Sequence, residues 1–280
     1  MSDLYSSDNQ KNSDNLIEES HDTSPSDPSE DNKMEFSDHL AELRQRLIKI
    51  SIAVFIGFGG CYYFAKELFY YFTLPLLKVL PEGNTLIFTS LPEGFFTYLK
   101  ISFFAGFILV SPYIFYQLWK FISPGLYPKE RKYVLPFVAA STIFFVMGVS
   151  FAYFIVFPFG FEFFLSFQND YIKALPTLQQ YLKFALQLLF AFGLIFEMPV
   201  IFYFLAKIKL INSNILTKNR RYTVVIIFIV AAILTPPDVF TQFLMAIPLL
   251  LLYELSILIV KRVEKSQKVA EEAKDKDEAV

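Results

Sequence analysis

The sequence FSDHLAELRQRL, Phe36 to Leu47, carries Glu42, Arg44 and Arg46 on a segment whose Leu40, Leu43 and Leu47 recur at helical spacing. Ser37 or Asp38 is placed to cap such a helix at its start. Glu42 stands four residues ahead of Arg46, the order that favours an ion pair along a helix, so this face reads as a solvated, salt-bridged surface or as a carboxylate open to a cation. A second carboxylate, Glu130, lies in FISPGLYPKERK, Phe121 to Lys132, among Lys129, Arg131 and Lys132. It either caps the helix that follows or receives a cation. Two exposed carboxylates sharing one face would suit a guanidinium ligand, because arginine offers planar, bidentate donors to carboxylates. Spacing alone does not bring the two together.

Three further acids sit in or beside apolar sequence. Glu197, in GLIFEMPVIF, falls near the middle of a long apolar run, where an ionisable group costs about 2.5–3.5 kcal/mol on membrane insertion. Pro199 cannot donate to the carbonyl of Ile195, so the helix should kink there and become locally polar, open to water or to a partner's polar side chain. Glu197 is therefore either a functional intramembrane site or one end of a buried structural hydrogen bond. Glu254 lies seven residues before Lys261, about 10 Å deep by helix rise, and either lines a polar groove or approaches the interface. Asp238 follows Pro236 and Pro237 at a turn, where capping the next helix accounts for it.

The remaining inventory points away from catalysis. Of the two histidines, His21 lies in an acidic tail and His39 ahead of the first apolar run, so neither a HExxH metal site nor a Ser-His pair is available. No GxSxG, GxGD, Walker or GxGxxG sequence occurs, and the single cysteine, Cys61, has no partner for a disulfide or a CxxC site. The expectation is a protein that is not an enzyme, with no cofactor and no metal. With no basic stripe and a net charge of -2, it is also not a nucleic-acid binder.

The elements that must position these residues are membrane helices. Hydrophobic side chains make up 54% of the chain against about 45–50% in soluble domains, and mean hydropathy is +0.43. Apolar runs mark spans at about 48–64, 99–119, 133–157, 181–205, 222–234 and 239–260. The reading is all-α: a polytopic membrane protein with six transmembrane helices, the last two short. Residues 1–33, with nine acids against two lysines, are expected to be a disordered acidic tail; 34–262 form the transmembrane domain, and 263–280 a second charged tail.

Orientation follows from Lys and Arg. The connections carry, in chain order from Lys33, four, three, four, two, five and then none, so the odd ones are basic. Basic connections stay in the cytoplasm, which places both termini there, N-in and C-in. Arg220 and Arg221 precede the short fifth run and Lys261 and Arg262 follow the sixth, so the two form a hairpin turning outside at Pro236, Pro237 and Asp238. Phe161, Phe163, Phe164 and Phe167, near the second external connection, read as an interfacial aromatic belt.

Six motifs in order, HLAELRQRL, PLLKVLPEG, FISPGLYPKER, FAYFIVFP, FGLIFEMPV and LTPPDVFTQ with the following IPLLLLYE, make the chain from about His39 to Glu254 resemble the TatC subunit of the twin-arginine protein translocase. The resemblance implies a core receptor subunit in the bacterial cytoplasmic membrane that binds twin-arginine signal peptides of folded substrate proteins. Glu42, Arg44, Phe121 and Glu130 occupy the signal-peptide positions, and Glu197 matches the intramembrane glutamate of a groove where TatA- and TatB-type single-span subunits dock. Glu254 is grouped with it as a second polar position for such partners. The resemblance further implies copies of the chain in a larger complex and a proton motive force as the drive. The long acidic extension before Lys33 and the pair Pro128-Lys129 depart from the family's usual pattern, and neither touches Glu130.

Overall fold

The computed structural model describes residues 28–81, 85–122, 134–169, 171, 173–235 and 238–278. The chain divides into two units, Met1–Gln45 and Arg46–Val280. Helix α1 (Pro28–Tyr63) begins in the first unit, six residues inside the stretch expected to be unstructured. Its sequence explains the difference: proline suits the first helical position, and Glu30 and Asp31 in the opening turn favour a helix N-terminus. Residues 1–27 of the expected tail lie outside the described residues.

In the second unit the order is α2 (Ala65–Leu77), α3 (Glu93–Ile122), α4 (Val134–Phe151), a π-helical turn (Ala152–Val156), α5 (Phe157–Leu165), α6 (Leu178–Ile195), α7 (Met198–Lys207), α8 (Ser213–Lys218), α9 (Arg220–Leu234) and α10 (Val239–Glu278). Among the described residues no strand forms, and one isolated bridge joins Ile87 to Thr177. Among the described residues, five helical segments are long and apolar enough to cross a bilayer: Leu40–Tyr63, Glu93–Ile122, Val134–Leu165, Leu178–Lys207 and Val239–Val269. The fifth of the six expected spans, α9, has 15 residues. That is about 22 Å of helix against about 30 Å of hydrocarbon.

Span limits drawn from apolar runs fall short of the helices. Hydrogen bonding continues through polar flanks rich in helix-forming residues, so α3 starts at Glu93 and not Leu99, and α10 continues to Glu278 through the charged segment expected as a separate tail. Prolines account for two interruptions. Pro158 cannot donate to the Phe154 carbonyl, and the ladder widens into the π-helical turn just before it. Pro199 cannot donate to Ile195, and the fourth span breaks into α6 and α7 across Phe196 and Glu197.

Small residues set the closest helix contacts. A Cβ on Gly106 of α3 would lie 2.5 Å from the backbone nitrogen of Phe58, and one on Gly57 would lie 2.6 Å from a Val110 methyl, so α1 and α3 cross backbone to backbone. Gly148 of α4 sits against the Phe192 carbonyl of α6, while Gly193 of α6 receives the Phe145 ring of α4. Around these contacts one large core runs from Phe72 through Phe157, Leu188 and Met245 to Val260, and a smaller one gathers Trp119, Phe137, Val138, Val200 and Phe204.

At the end of the bundle where α3 and α6 begin, Glu93 is buried and accepts from the backbone nitrogens of Thr89 (2.8 Å), Ser90 (3.3 Å) and Gln179 (2.6 Å). The Ile87–Thr177 bridge lies beside it, with Leu178 donating to the Ile87 carbonyl at 2.8 Å. Tyr181 Oη donates to the Phe72 carbonyl at 2.5 Å, and Tyr153 Oη to that of Tyr71. Of the expected aromatic belt, Phe161 belongs to the core, buried against Phe157, Tyr181 and Phe184, while Phe163 and Phe164 are half-buried and Phe163 stacks on Phe240 at 4.1 Å. Phe167, 65% exposed, fits a belt. Rings at this end pack because α5 lies alongside α6 and α2, giving them apolar neighbours.

Replacing Gly106 by Ala is expected to destabilise the protein by about 1–3 kcal/mol, the usual cost of overpacking. Thermal unfolding in detergent should show it as a lowered midpoint. Gly60→Ala, with nothing within 4 Å of the added carbon, should leave the midpoint unchanged or slightly raised.

Candidate functional site

In the first unit, Glu42 is half-buried and Arg44 exposed on α1. In the second, Phe121 is half-buried at the penultimate position of α3. Glu130 lies in 123–133, outside the described residues. Of the four residues expected to meet a signal peptide, three are thus placed on helices, and their convergence with Glu130 stays an expectation.

Just inside the end of α3 the structure brings together polar side chains that sequence reasoning did not connect. Arg46 Nη1 donates to Gln117 Oε1 at 3.1 Å, joining α1 to α3. Bonds of this kind to a charged donor contribute about 1.5–3 kcal/mol, and Gln117 is buried, so the tie fixes where the two helices cross. Two residues on, Trp119 Nε1 donates to Ser141 Oγ of α4 at 3.0 Å while its ring stacks on Phe137 at 4.6 Å. The signal was present in YQLWKF, where Gln and Trp interrupt an apolar run and each needs a hydrogen-bond partner once buried.

Glu197 occupies the break between α6 and α7 and is 6% exposed. Its backbone serves both helices: its nitrogen donates to the Leu194 carbonyl at 3.1 Å, and its carbonyl accepts from Ile201 at 2.9 Å. The side chain lies close to Ser141, and Oε1 is buried with no hydrogen-bond partner among the described residues. The Trp119–Ser141 bond joins α3 to α4, and Glu197 stands beside it at the α6–α7 break in otherwise apolar surroundings. A buried carboxyl oxygen lacking a donor costs about 1–3 kcal/mol, which a donor from outside would recover. That makes the break a place able to receive a hydrogen-bonding group.

Glu254, expected either in a groove or near the interface, pairs with Arg220 of α9 at 2.6 Å, its side chain 41% exposed. Exposed pairs contribute about 0–1 kcal/mol in water, so the pair aligns α9 with α10 more than it stabilises them. Tyr253 beside it accepts from Thr223 Oγ1 at 3.2 Å and donates to the Leu216 carbonyl at 2.8 Å, adding α8 to the same joint. Asp238 caps α10 as expected, accepting from the Thr241 nitrogen at 2.7 Å. Pro236 and Pro237 lie outside the described residues. Gln242 closes the hairpin below them by donating to the Phe228 carbonyl at 3.1 Å. Among the described residues no cluster of His, Cys, Asp or Glu has a metal-binding arrangement.

Residues 38–248 match the family described as Sec-independent protein translocase protein (TatC). A relative of that name from Desulforapulum autotrophicum is 52% identical over 229 residues, covering 82% of this chain and 85% of its own. One from Aquifex aeolicus is 44% identical over 242 residues, covering 86% of this chain and all of its own. The crystal structure of a twin-arginine translocase receptor, TatC, superposes with a TM-score of 0.72 at 45% identity, covering 81% of this chain and 99% of that one.

Trp119 is the chain's single tryptophan and reports directly on this cluster. Ser141→Ala should leave its indole N–H without an acceptor, shift the emission to shorter wavelength and lower stability by about 1–3 kcal/mol. An unchanged emission spectrum would show that Ser141 is not its acceptor.

Proposed function

The chain belongs to the TatC family of Sec-independent protein translocase proteins, and from that premise we propose that it is the core receptor subunit of a twin-arginine translocation system. It binds twin-arginine signal peptides of folded proteins at its cytoplasmic face and assembles with TatA- and TatB-type single-span subunits and further copies of itself. Transport is driven by the proton motive force. The observation that carries this reading is the match to a twin-arginine translocase receptor along nearly that receptor's whole length.

Chemistry supports the assignment of roles. Glu42 and Glu130 pair with the two guanidinium groups, Arg44 belongs to the same surface, and Phe121 forms an apolar edge for the peptide's hydrophobic stretch. Glu197 receives a polar side chain from a partner helix at the α6–α7 break, consistent with its unpartnered oxygen. Glu254 and the hairpin about Pro236, Pro237 and Asp238 offer a second face to such partners. All six apolar runs span, with α9 as the short fifth crossing and both termini in the bacterial cytoplasm. That topology is favoured by the basic residues at both ends of the hairpin and by the ties that hold α9 along α10.

Changing Glu42 and Glu130 together to Gln is expected to abolish crosslinking of an Arg-Arg signal peptide in the purified complex while membrane insertion persists. Undiminished crosslinking would remove the site assignment. Glu197→Ala should reduce co-purification of the single-span partners and leave signal-peptide crosslinking intact; partners recovered at the normal level would count against its docking role.

A further inference from the structure

Helices α3 and α6 begin at the same end of the bundle, where Glu93 accepts from the Gln179 nitrogen, and farther along they meet ring to ring at Phe107 and Phe190, 5.7 Å apart. That pair fixes their register. Seven residues nearer the common end, two turns along the same face, stand Lys100 on α3 and Lys183 on α6. Two cations thus share one height on adjacent helices. Both are exposed, and among the described residues neither has an ion pair or a hydrogen bond. Glu93, the acid at this end of α3, is buried and committed to the amides of Thr89, Ser90 and Gln179.

Beside them opens a groove of about 400 Å³ between α1, α3 and α6, lined by Phe58, Leu99, Phe103, Phe104 and Leu186, with Lys100 as its charged member. Lys183 stands one turn from Leu186, toward the end where α6 begins. The wall is firm, because the Phe58 and Phe103 rings lie 6.2 Å apart beside the backbone contact of Gly57 with Gly106. Depth suits a headgroup. The segments Glu93–Ile122 and Leu178–Lys207 each have 30 residues, about 45 Å of helix against about 30 Å of hydrocarbon, so a centred crossing leaves about five residues outside at each end. Lys100 and Lys183, eighth and sixth in their helices, therefore stand near the hydrocarbon edge. A lysine there lays its stem along apolar surface and carries its ammonium to the phosphate layer.

From two cations at the mouth of an apolar groove we infer a binding site for an anionic phospholipid, its phosphate between Lys100 and Lys183 and an acyl chain along Phe103, Phe104 and Leu186. Charge complementarity selects the occupant. A zwitterionic lipid brings its own cation to offset the phosphate, an apolar helix leaves both lysines unpaired, and a free phosphate leaves the groove unfilled. Neither a signal peptide nor a partner subunit enters the site, so its test is independent of the function proposed above.

The full chain is reconstituted in phosphatidylcholine vesicles holding a trace of phosphatidylglycerol or phosphatidylcholine with a photoreactive acyl chain, and the labelled residues are mapped by mass spectrometry. The phosphatidylglycerol probe should label 99–104 and Leu186 roughly tenfold more than the phosphatidylcholine probe, and Lys100→Gln with Lys183→Gln should bring it down to the phosphatidylcholine level. Lys261→Gln, which removes an exposed cation of α10, should leave this labelling unchanged. Leu186→Phe, which narrows the groove with both lysines in place, should lower it. Equal labelling by the two probes overturns the proposal, as does a preference that survives the double variant or is lost as fully in Lys261→Gln. Suppression by glycerol phosphate at the concentration of the lipid probe would mark a free-anion site, and no labelling by either probe a groove covered by protein; each overturns it. Trp119 emission checks that each variant is folded; should the double variant fail, the exposed Lys183→Gln alone is read by the same criterion.

Discussion

Backbone amides and carbonyls inside hydrocarbon must find partners within the protein, since no water replaces a lost bond. Helices meet that demand without help until a proline removes a donor, and two of the sites where one does so here govern what surrounds them. Before Pro158 the ladder loosens into five π-helical residues and recovers, turning the chain into α5 and its aromatic cover. Before Pro199 it parts. Glu197, standing at the parting, bonds backward and forward through its own backbone and leaves a carboxyl in the interior beside Ser141 and Trp119.

Where apolar packing cannot discriminate between protein and lipid, alignment of helices rests on close contacts and on polar ties. The glycines let α1 meet α3 and α4 meet α6 at backbone distance, and a small number of side chains then fix the register. Arg46 and Gln117 do so for α1 and α3, Glu93 for the openings of α3 and α6, and Tyr253 for α8, α9 and α10. Each joins elements distant in sequence, and several use a backbone group as the partner. A backbone partner constrains position and not residue identity.

That last property explains what could and could not be read beforehand. Apolar runs located the helices because hydropathy depends on composition alone, and Asp238 was legible as a cap because capping is local. Helix ends are not legible from the span limits, as at Glu93 and Glu278, since polar flanks continue a helix that no longer needs hydrocarbon. Prolines were ambiguous. Pro199 breaks its helix, whereas Pro112 and Pro248 sit within α3 and α10, and the sequence around them does not announce which outcome follows. Glu93 escaped notice altogether, because its partners include a backbone amide 86 positions away. The Arg46–Gln117 tie was hidden for a similar reason: Arg46 had a plausible local partner four residues earlier.

Helix α10 runs unbroken for 40 residues, about 60 Å, roughly twice the thickness of the hydrocarbon it crosses. It is fastened near one end by the Asp238 cap and along its middle by Arg220, Ser213 and the end of α7. A rod of that length amplifies rotation: a tilt of about 5° about its capped end carries the far end through about 5 Å. The charged stretch beyond Lys268 thus acts as the pointer of a gauge, converting small adjustments of the hairpin within the bilayer into displacements outside it that a pair of distance probes can resolve.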